Sequence, residues 1–369
     1  MKLYIQTEPE FSGSLWYASL LHGIGEEARK KRYEMVFVSE TADIGTVFGE
    51  DKKLLIVIGT SIRKLNRQLL RLREAGVDVL LVNITSMYTT HGIHTLTMNY
   101  EQATLRSLEY LRNCGKKNTA LFCINPDSGS DVRKQEAFLS SGYPTEDVFL
   151  NTAGLSQCCE AFLRQISRFD SVLCANDIAV LGLMRRLREA GVRVPEDLFL
   201  MGFGDIVNTE LFAAEDQCRP YGITTVTVDH AEIGRQAVGL YSYLCRTDNP
   251  IHFTGRLDSI LRIGATTAYM PDTVDVSVQK PEWRDSERDF YDDEMVSEII
   301  RLQSLVAEAD DLDRKILRML LKDSTIADMA DALYITQGAV TYRLKRIYGK
   351  LGVSSRKEAL GQIRRYVFW

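Results

Sequence analysis

No stretch of this chain approaches the ~18 consecutive apolar residues that a membrane-spanning helix needs, so no transmembrane segment is expected. The N-terminus reads MKLYIQTEPE, an alternating strand-like pattern without a charged region followed by an apolar run, and a secretory signal is not expected either. Together these absences point to a cytoplasmic protein. The seven cysteines (114, 123, 158, 159, 174, 218 and 245) include no CxxC pair and no histidine at zinc spacing. Most sit inside apolar runs, as reduced core thiols do. Vicinal Cys158 and Cys159 leave a redox or metal role open, although nearby ligands are lacking. Five histidines (22, 91, 94, 230 and 252) form no metal cluster. There is no GxxxxGK[ST], no GxGxxG after a strand, no GxSxG elbow and no HExxH. An enzyme is therefore not expected, and neither is a cofactor.

What is present is an uneven distribution of charge. The net charge of −5 conceals 12 Lys and Arg against 6 Asp and Glu in 311–369, and 4 against 12 in 270–310. A basic end on an otherwise acidic chain is the arrangement expected when only that end meets phosphate.

Residues 1–269 alternate apolar strand-like runs with amphipathic helical ones. Leu3–Ile5, Met35–Val38, Leu54–Ile58 and Val79–Val82 read as buried strands, with helices at Leu15–Arg29 and Leu65–Ala75. A second series follows: Thr119–Ile124, Ser171–Ala175, the helix Ile178–Ala190, and Leu198–Phe203. Strict alternation implies parallel sheets covered by helices, and two series imply two lobes with a break near Asn113–Lys117. Met270–Glu282 reads as a linker, and from Ser286 the chain looks helical. Met295, Leu302, Leu305, Ala309, Leu312 and Ile316 share one face, interrupted by Glu298. Two alternatives stay open for that face: packing on its own chain, or a short dimerising helix that passes a signal onward.

The last 59 residues, 311–369, divide into four short helices. Leu312–Leu321 and Thr325–Leu333 carry core-facing stripes, Tyr334–Ile335 makes a turn, and Thr336 is a good N-cap for Gln337–Lys350. That third helix buries Val340, Leu344 and Ile347 and shows Thr341, Tyr342, Arg343, Lys345 and Arg346 on its other face. A last helix runs from about Arg356 to Tyr366. A helix with such a face fits the major groove, and Gly338 and Ala339 at its start let the backbone approach phosphate. A helical protein-binding module with an incidental basic face is the alternative.

The string from Thr325 to Ala359, TIADMADALYITQGAVTYRLKRIYGKLGVSSRKEA, resembles the LuxR/GerE-type helix-turn-helix. The likeness lies in Met329-Ala330 with Leu333, Thr336, Ala339-Val340, Ile347 with Lys350-Leu351-Gly352-Val353, and Arg356; Ala339 departs from the usual Thr. The resemblance implies a double-stranded DNA reader. Its base contacts would be Thr341, Tyr342 and Lys345. Its phosphate-side contacts would be Gln337, Gly338, Arg343, Lys350 and Arg356, with Thr336 and Arg346 alongside. A phosphorylated receiver domain, a common companion, is not expected, because no acidic pair follows Leu3–Gln6.

The string from Phe169 to Asp205, FDSVLCANDIAVLGLMRRLREAGVRVPEDLFLMGFGD, resembles the effector domain of LacI-type repressors, a fold shared with periplasmic sugar-binding proteins. Ile223–Val226, Leu20–Ala28 and Val77–Asn83 extend the likeness through 1–269. It implies an α/β two-lobe, periplasmic-binding-protein-like domain with parallel sheets, three crossovers and a polar ligand between the lobes, ahead of a small all-α helix-turn-helix domain. Matching positions nominate Trp16, Tyr17, Asn99, Asn176 and Asp205 as ligand contacts, and Arg133 or Lys134, with the better register on Lys134. Asp177, Pro195 and Asp197 read as fold-maintaining. Gly204 stands where the family often has a sugar-binding Asp, and Val228 where a polar residue is common. LacI-type repressors carry their helix-turn-helix before the first strand, whereas here the candidate lies at the other end. The expected organisation is a ligand-binding domain over 1–269, a linker and signalling helix over 270–310, and a DNA-binding domain over 311–369, in a homodimer. The expected function is transcription regulation governed by a small polar ligand, foremost a sugar. The alternative is a regulator whose lobes have lost the ligand and serve oligomerisation or protein docking.

Overall fold

The computed structural model describes residues 1–8, 13–40, 42–49, 52–59, 61–83, 93–205, 222–247, 252–267 and 293–366. The expected linker Met270–Glu282 and helix start at Ser286 lie outside these residues, as do Cys218 and His91.

Two six-stranded sheets form two lobes. In the first, β1 (Lys2–Thr7), β2 (Glu34–Phe37), β3 (Leu54–Ile58), β4 (Asp78–Val82) and β5 (Ile93–Met98) are joined by β11 (Thr254–Leu257) in the order β11-β5-β4-β3-β1-β2, all parallel. β3 is LLIVI, buried along its whole length, the continuous apolar run demanded of a strand covered on both faces. In the second, β6 (Thr119–Ile124), β7 (Val148–Leu150), β8 (Ser171–Cys174), β9 (Phe199–Phe203) and β10 (Thr224–Thr227) are parallel, and β12 (Ile260–Arg262) closes the edge antiparallel to β10.

The chain passes between lobes three times: from β5 into α4 (Tyr100–Asn113), from β10 back into α8 (His230–Leu244), and from β11 to β12. Helix α8 packs tightly on α1 (Leu15–Lys30). Glycine is required there, since a Cβ at Gly23 would stand 1.9 Å from the Ala231 carbonyl oxygen. The strand and helix positions expected from periodicity within the described residues appear, with ends shifted by at most three residues. Asp177 is wholly buried and accepts a 2.7 Å bond from Thr225 Oγ1, and Asp197 pairs with Arg193 at 2.6 Å.

Helix α9 (Glu294–Glu308) starts at the Asp293 cap and lies against α6 (Leu155–Leu163) and α7 (Asp177–Glu189) of the second lobe. Gly182 permits this approach, because a Cβ there would meet Met295 Sδ at 2.9 Å. On its other side α9 packs on α12 (Gln337–Leu351), one of four C-terminal helices with α10 (Asp311–Leu321), α11 (Ile326–Leu333) and α13 (Arg356–Arg364). One continuous apolar core therefore runs from Val172 and Leu183 through Ile299 and Leu305 to Leu344 and Ile363. The stripe of Met295, Leu302, Leu305 and Ala309 is buried in the chain's own core, so the dimerising alternative for that face is corrected to intramolecular packing. Glu298, which interrupts the stripe, pairs with Arg185 and Arg365 and accepts from Tyr366 at 3.0 Å.

Candidate ligand cleft and nucleic-acid interface

A cleft of about 670 Å³ opens between the lobes, within the usual range for small-molecule sites. It sits at the carboxyl ends of the strands, where α/β sheets bind ligands. Three residues at those ends hold left-handed backbone without being glycine: Asn83 (φ 63°) after β4, Cys123 (φ 65°) at a bulge in β6, and Asp205 (φ 55°) after β9. All three line the cleft. Such conformations cost of order 1–3 kcal/mol each and cluster at functional sites.

The carboxamides of the cleft share one orientation. Asn83 Oδ1 accepts from the Tyr100 hydroxyl at 3.2 Å, Asn125 Oδ1 from the Asp127 amide at 2.9 Å, and Asn176 Oδ1 from the Ala179 amide at 2.9 Å, as the N-cap of α7. Their oxygens are spoken for locally. Their NH₂ groups form no hydrogen bond among the described residues, which leaves donors for an acceptor-rich ligand. Burial holds the Tyr100 hydroxyl well above the ordinary phenol range, so it remains a proton donor. His230 also lines the cleft, and burial pushes its pKa down to about 4, leaving a neutral imidazole at pH 7.

Of the nominated ligand residues, Trp16, Lys134, Asn176 and Asp205 line the cleft. Trp16 lies with its ring 6.1 Å from that of His230 and leaves the cleft open. Lys134 is buried, donating to Asp131 at 2.8 Å and to the Ala175 carbonyl at 2.6 Å, and it fixes the floor electrostatically. Asp205 pairs with Arg262 at 3.2 Å. Three nominations are corrected. Arg133 faces the other side of α5 (Gly129–Ser140) and pairs with Glu136 at 2.7 Å. Asn99 is the N-cap of α4, its side chain accepting from the Gln102 amide. Tyr17 packs edge-on behind Trp16 and does not line the cleft.

The lobes are latched across the cleft mouth. Asp127 of the second lobe accepts from Ser61 Oγ at 2.7 Å and from the Arg63 amide at 2.9 Å, and its carbonyl accepts from the Ile62 amide at 2.8 Å. These donors begin α3 (Ile62–Glu74) of the first lobe. A carboxylate at a helix N-terminus satisfies orphan amides and the helix dipole together.

The C-terminal helices are capped throughout. Asp310 and Asp313 form a capping box on α10, Thr325 and Asp328 another on α11, and Thr336 accepts from the Ala339 amide at 3.2 Å to start α12. Tyr334 takes the left-handed turn between α11 and α12 and is 95% exposed. On α12, Gln337, Gly338, Tyr342 and Lys345 are exposed. Thr341 is half-buried and donates to the Gln337 carbonyl. The remaining cations are already engaged. Arg343 bridges Asp310 and Asp313 at 2.7 Å each, Arg346 pairs with Asp313, Lys350 with Glu308, and Arg356 donates to the Ser324 carbonyl at 2.7 Å.

Sequence reasoning did not find Asn83, Asn125, Asp127, Tyr100 or Gln303. The last belongs to α9, is 4% exposed, lines the cleft, and has an Nε2 without a hydrogen-bond partner. A buried amide left unsatisfied costs ~1–3 kcal/mol. In the sequence it is one of two polar residues, with Ser304, between Leu302 and Leu305, and nothing local sets it apart.

Among the described residues no helix is long and apolar enough to cross a membrane. Family models match at two places: a periplasmic binding protein-like domain over residues 108–267, and a winged helix-turn-helix DNA-binding domain over 310–346. The chain is 26% identical over 161 residues to the HTH-type transcriptional repressor PurR of Haemophilus influenzae, covering 41% of this chain and 46% of that repressor. The chain thus spans about half the length of that relative. It is 23% identical over 249 residues to catabolite control protein A of Priestia megaterium, covering 63% of this chain and 71% of that protein. A solved complex of the transcriptional regulator CelR with cellobiose superposes with a TM-score of 0.58 at 20% identity, covering 72% of this chain and 84% of the other. The fold is accordingly that of two periplasmic-binding-protein-like lobes followed by a helical helix-turn-helix unit.

Proposed function

We propose that this chain is a sequence-specific DNA-binding transcription regulator controlled by a small polar ligand, foremost a sugar, held between its two lobes. The observation that carries the proposal is one continuous core joining a donor-lined cleft to a helix-turn-helix whose recognition helix exposes Tyr342 and Lys345. The three carboxamide NH₂ groups suit a ligand rich in oxygen acceptors, and Trp16 offers an apolar face for a sugar ring. That PurR is named as a transcriptional repressor, and that the transcriptional regulator CelR was solved with cellobiose, supports the same assignment.

Within the 311–369 unit, the LuxR/GerE type is supported by a fourth helix, α13, where a winged unit would have strands. Thr341, Tyr342 and Lys345 are assigned to base edges, and Thr336, Gln337, Gly338 and Arg356 to the phosphate side. Arg343, Arg346 and Lys350 are assigned to holding the unit together, since each already has a carboxylate partner. The ligand domain is placed at 1–269 and the connecting segment at 270–310. A homodimer would use a surface other than the buried stripe of α9. Selection of bound DNA from a random pool by the full chain, with and without a sugar mixture, tests the assignment. A defined site, with two half-sites for a dimer, and a sugar-dependent yield are expected; equal recovery of all sequences refutes it.

A further inference from the structure

We propose that Gln303 contacts the bound ligand directly, so that the helix carrying the DNA-binding unit forms part of the ligand site. This rests on the cleft being a ligand site and adds the contact through which the output side senses it. Gln303 belongs to α9, which no cleft nomination from sequence included. Its neighbours Leu302, Leu305 and Val306 are buried in the core shared by the second lobe and α12. An apolar side chain would serve that core equally well, yet an amide stands there, buried in the cleft wall, with Nε2 unpartnered. Buried polar groups are nearly always satisfied, and one that is not calls for a partner. Nε2 is a donor, as are the NH₂ groups of Asn83, Asn125 and Asn176 on the same cleft. The four converge on one chemistry: a hydroxyl, carboxylate or other oxygen acceptor of the ligand.

The geometry also shortens the signalling route. From Gln303 the apolar contacts of Leu302 and Leu305 lead within the same helix to α12, the recognition helix. On the opposite flank, a Cβ added to Gly13, at the entry to α1 of the first lobe, would stand 3.9 Å from Ile300 Cγ2. Helix α9 therefore packs on the second lobe and the reading head and passes close to the start of α1 in the first lobe. A ligand bonded to Gln303 favours one pose of α9 through an interaction absent from any other pose, which is the differential affinity that a switch requires.

The test uses the full chain with cellobiose, D-glucose and D-ribose as probes. Gln303→Met keeps length and volume, and Gln303→Leu is a second apolar replacement; neither is expected to lower the melting temperature, because an unsatisfied amide is removed. Calorimetry should show the bound sugar weakened about tenfold or more in both variants, as for a lost buried hydrogen bond. The ratio of operator affinities with and without sugar, distinct from one in the wild type, should collapse toward one. Gln303→Asn, which keeps the amide but retracts it, should lie between. Wild-type sugar affinity and an unchanged ratio in Gln303→Met and Gln303→Leu overturn the inference while leaving the cleft assignment standing; that is the pattern expected if an ordered water satisfies Nε2. A wild-type chain that binds none of the probes overturns the cleft assignment, and this inference with it.

Discussion

Replacing Asp313 by Asn tests whether the basic face of α12 is a phosphate surface or partly a structural staple. The Asp313 carboxylate is almost fully buried; it accepts from Arg343 at 2.7 Å, from Arg346, and from the Asp310 amide at 3.4 Å. Asn keeps the shape and one acceptor but removes the charge that holds two guanidinium groups. Charge-assisted hydrogen bonds contribute about 1.5–3 kcal/mol each when buried. Arg343 and Arg346 are 24% and 42% exposed, so solvent screens much of the second bond. A net loss of about 2–3 kcal/mol in the α10–α12 contact follows. Hydrogen exchange on the full chain should then quicken roughly 30- to 150-fold for amides of Asp311–Leu321 and Gln337–Leu351, with little change in β1–β5. Operator affinity should fall, because the recognition helix loses its alignment. The opposite outcome, unchanged exchange with tighter non-specific DNA binding and a steeper salt dependence, would mean that Asp313 merely masks two phosphate-binding arginines.

Three further outcomes are expected. Lys345→Ala should relax specificity at one base step by ~1–3 kcal/mol in a binding-site selection; a uniform loss over all sequences with a flatter salt slope would instead make Lys345 a phosphate anchor. Asp127→Ala removes the side-chain half of the inter-lobe latch and should enlarge the radius of gyration in solution scattering while weakening sugar binding about 5- to 30-fold by depopulating the closed state; unchanged scattering and affinity would refute the latch. His230 has its pKa pushed down by burial from 6.5 to about 4, so the unfolded chain binds its proton first. The stability it contributes is complete above pH 6.5 and is lost as pH falls toward 4, by about 1–2 kcal/mol between pH 7 and pH 5. His230→Gln should remove that slope from denaturant titrations, and an unaltered slope would place the dependence elsewhere.

The sequence made the two-lobe fold legible because its signals are local. A run such as Leu54–Ile58 has few alternatives to a buried strand, and Thr325 and Thr336 mark helix starts through their own hydroxyls. The cleft was half legible for a geometric reason. Arg133 and Lys134 are adjacent, but on a helix adjacent positions diverge by about 100°, so a one-residue ambiguity in register separates a half-buried cation from a fully buried one. Asn99 matched a family position yet serves as a helix cap, a role its side chain fills equally well. The basic face of α12 misled because the partners of Arg343 and Lys350 are 33 and 42 residues away in sequence. Gln303 was illegible for the same reason: periodicity showed that α9 is amphipathic but not which cavity its polar exception meets.

How much switching the arrangement can deliver is limited by magnitude. Inverting a two-state population from 1:99 to 99:1 takes about 5.5 kcal/mol of differential ligand affinity. One hydrogen bond to Gln303, relieving an unsatisfied amide, supplies at most ~1–3 kcal/mol of it. The remainder has to come from contacts made only when the lobes are closed, and the Asp127 latch joined to the carboxamides on both lobes is where the structure provides them: Asn83 from the first, Asn125 and Asn176 from the second. Because α9 and the C-terminal helices share the second lobe's core, closure changes the position of the first lobe relative to the reading head, while Gln303 biases the head itself. Trp16→Ala, acting on the first-lobe side, and Gln303→Met, acting on α9, should then weaken coupling to a sugar by separate routes. Their effects on the ratio of operator affinities should add in free energy in the double variant. A double variant no worse than Gln303→Met alone would show that lobe closure contributes nothing beyond the α9 contact.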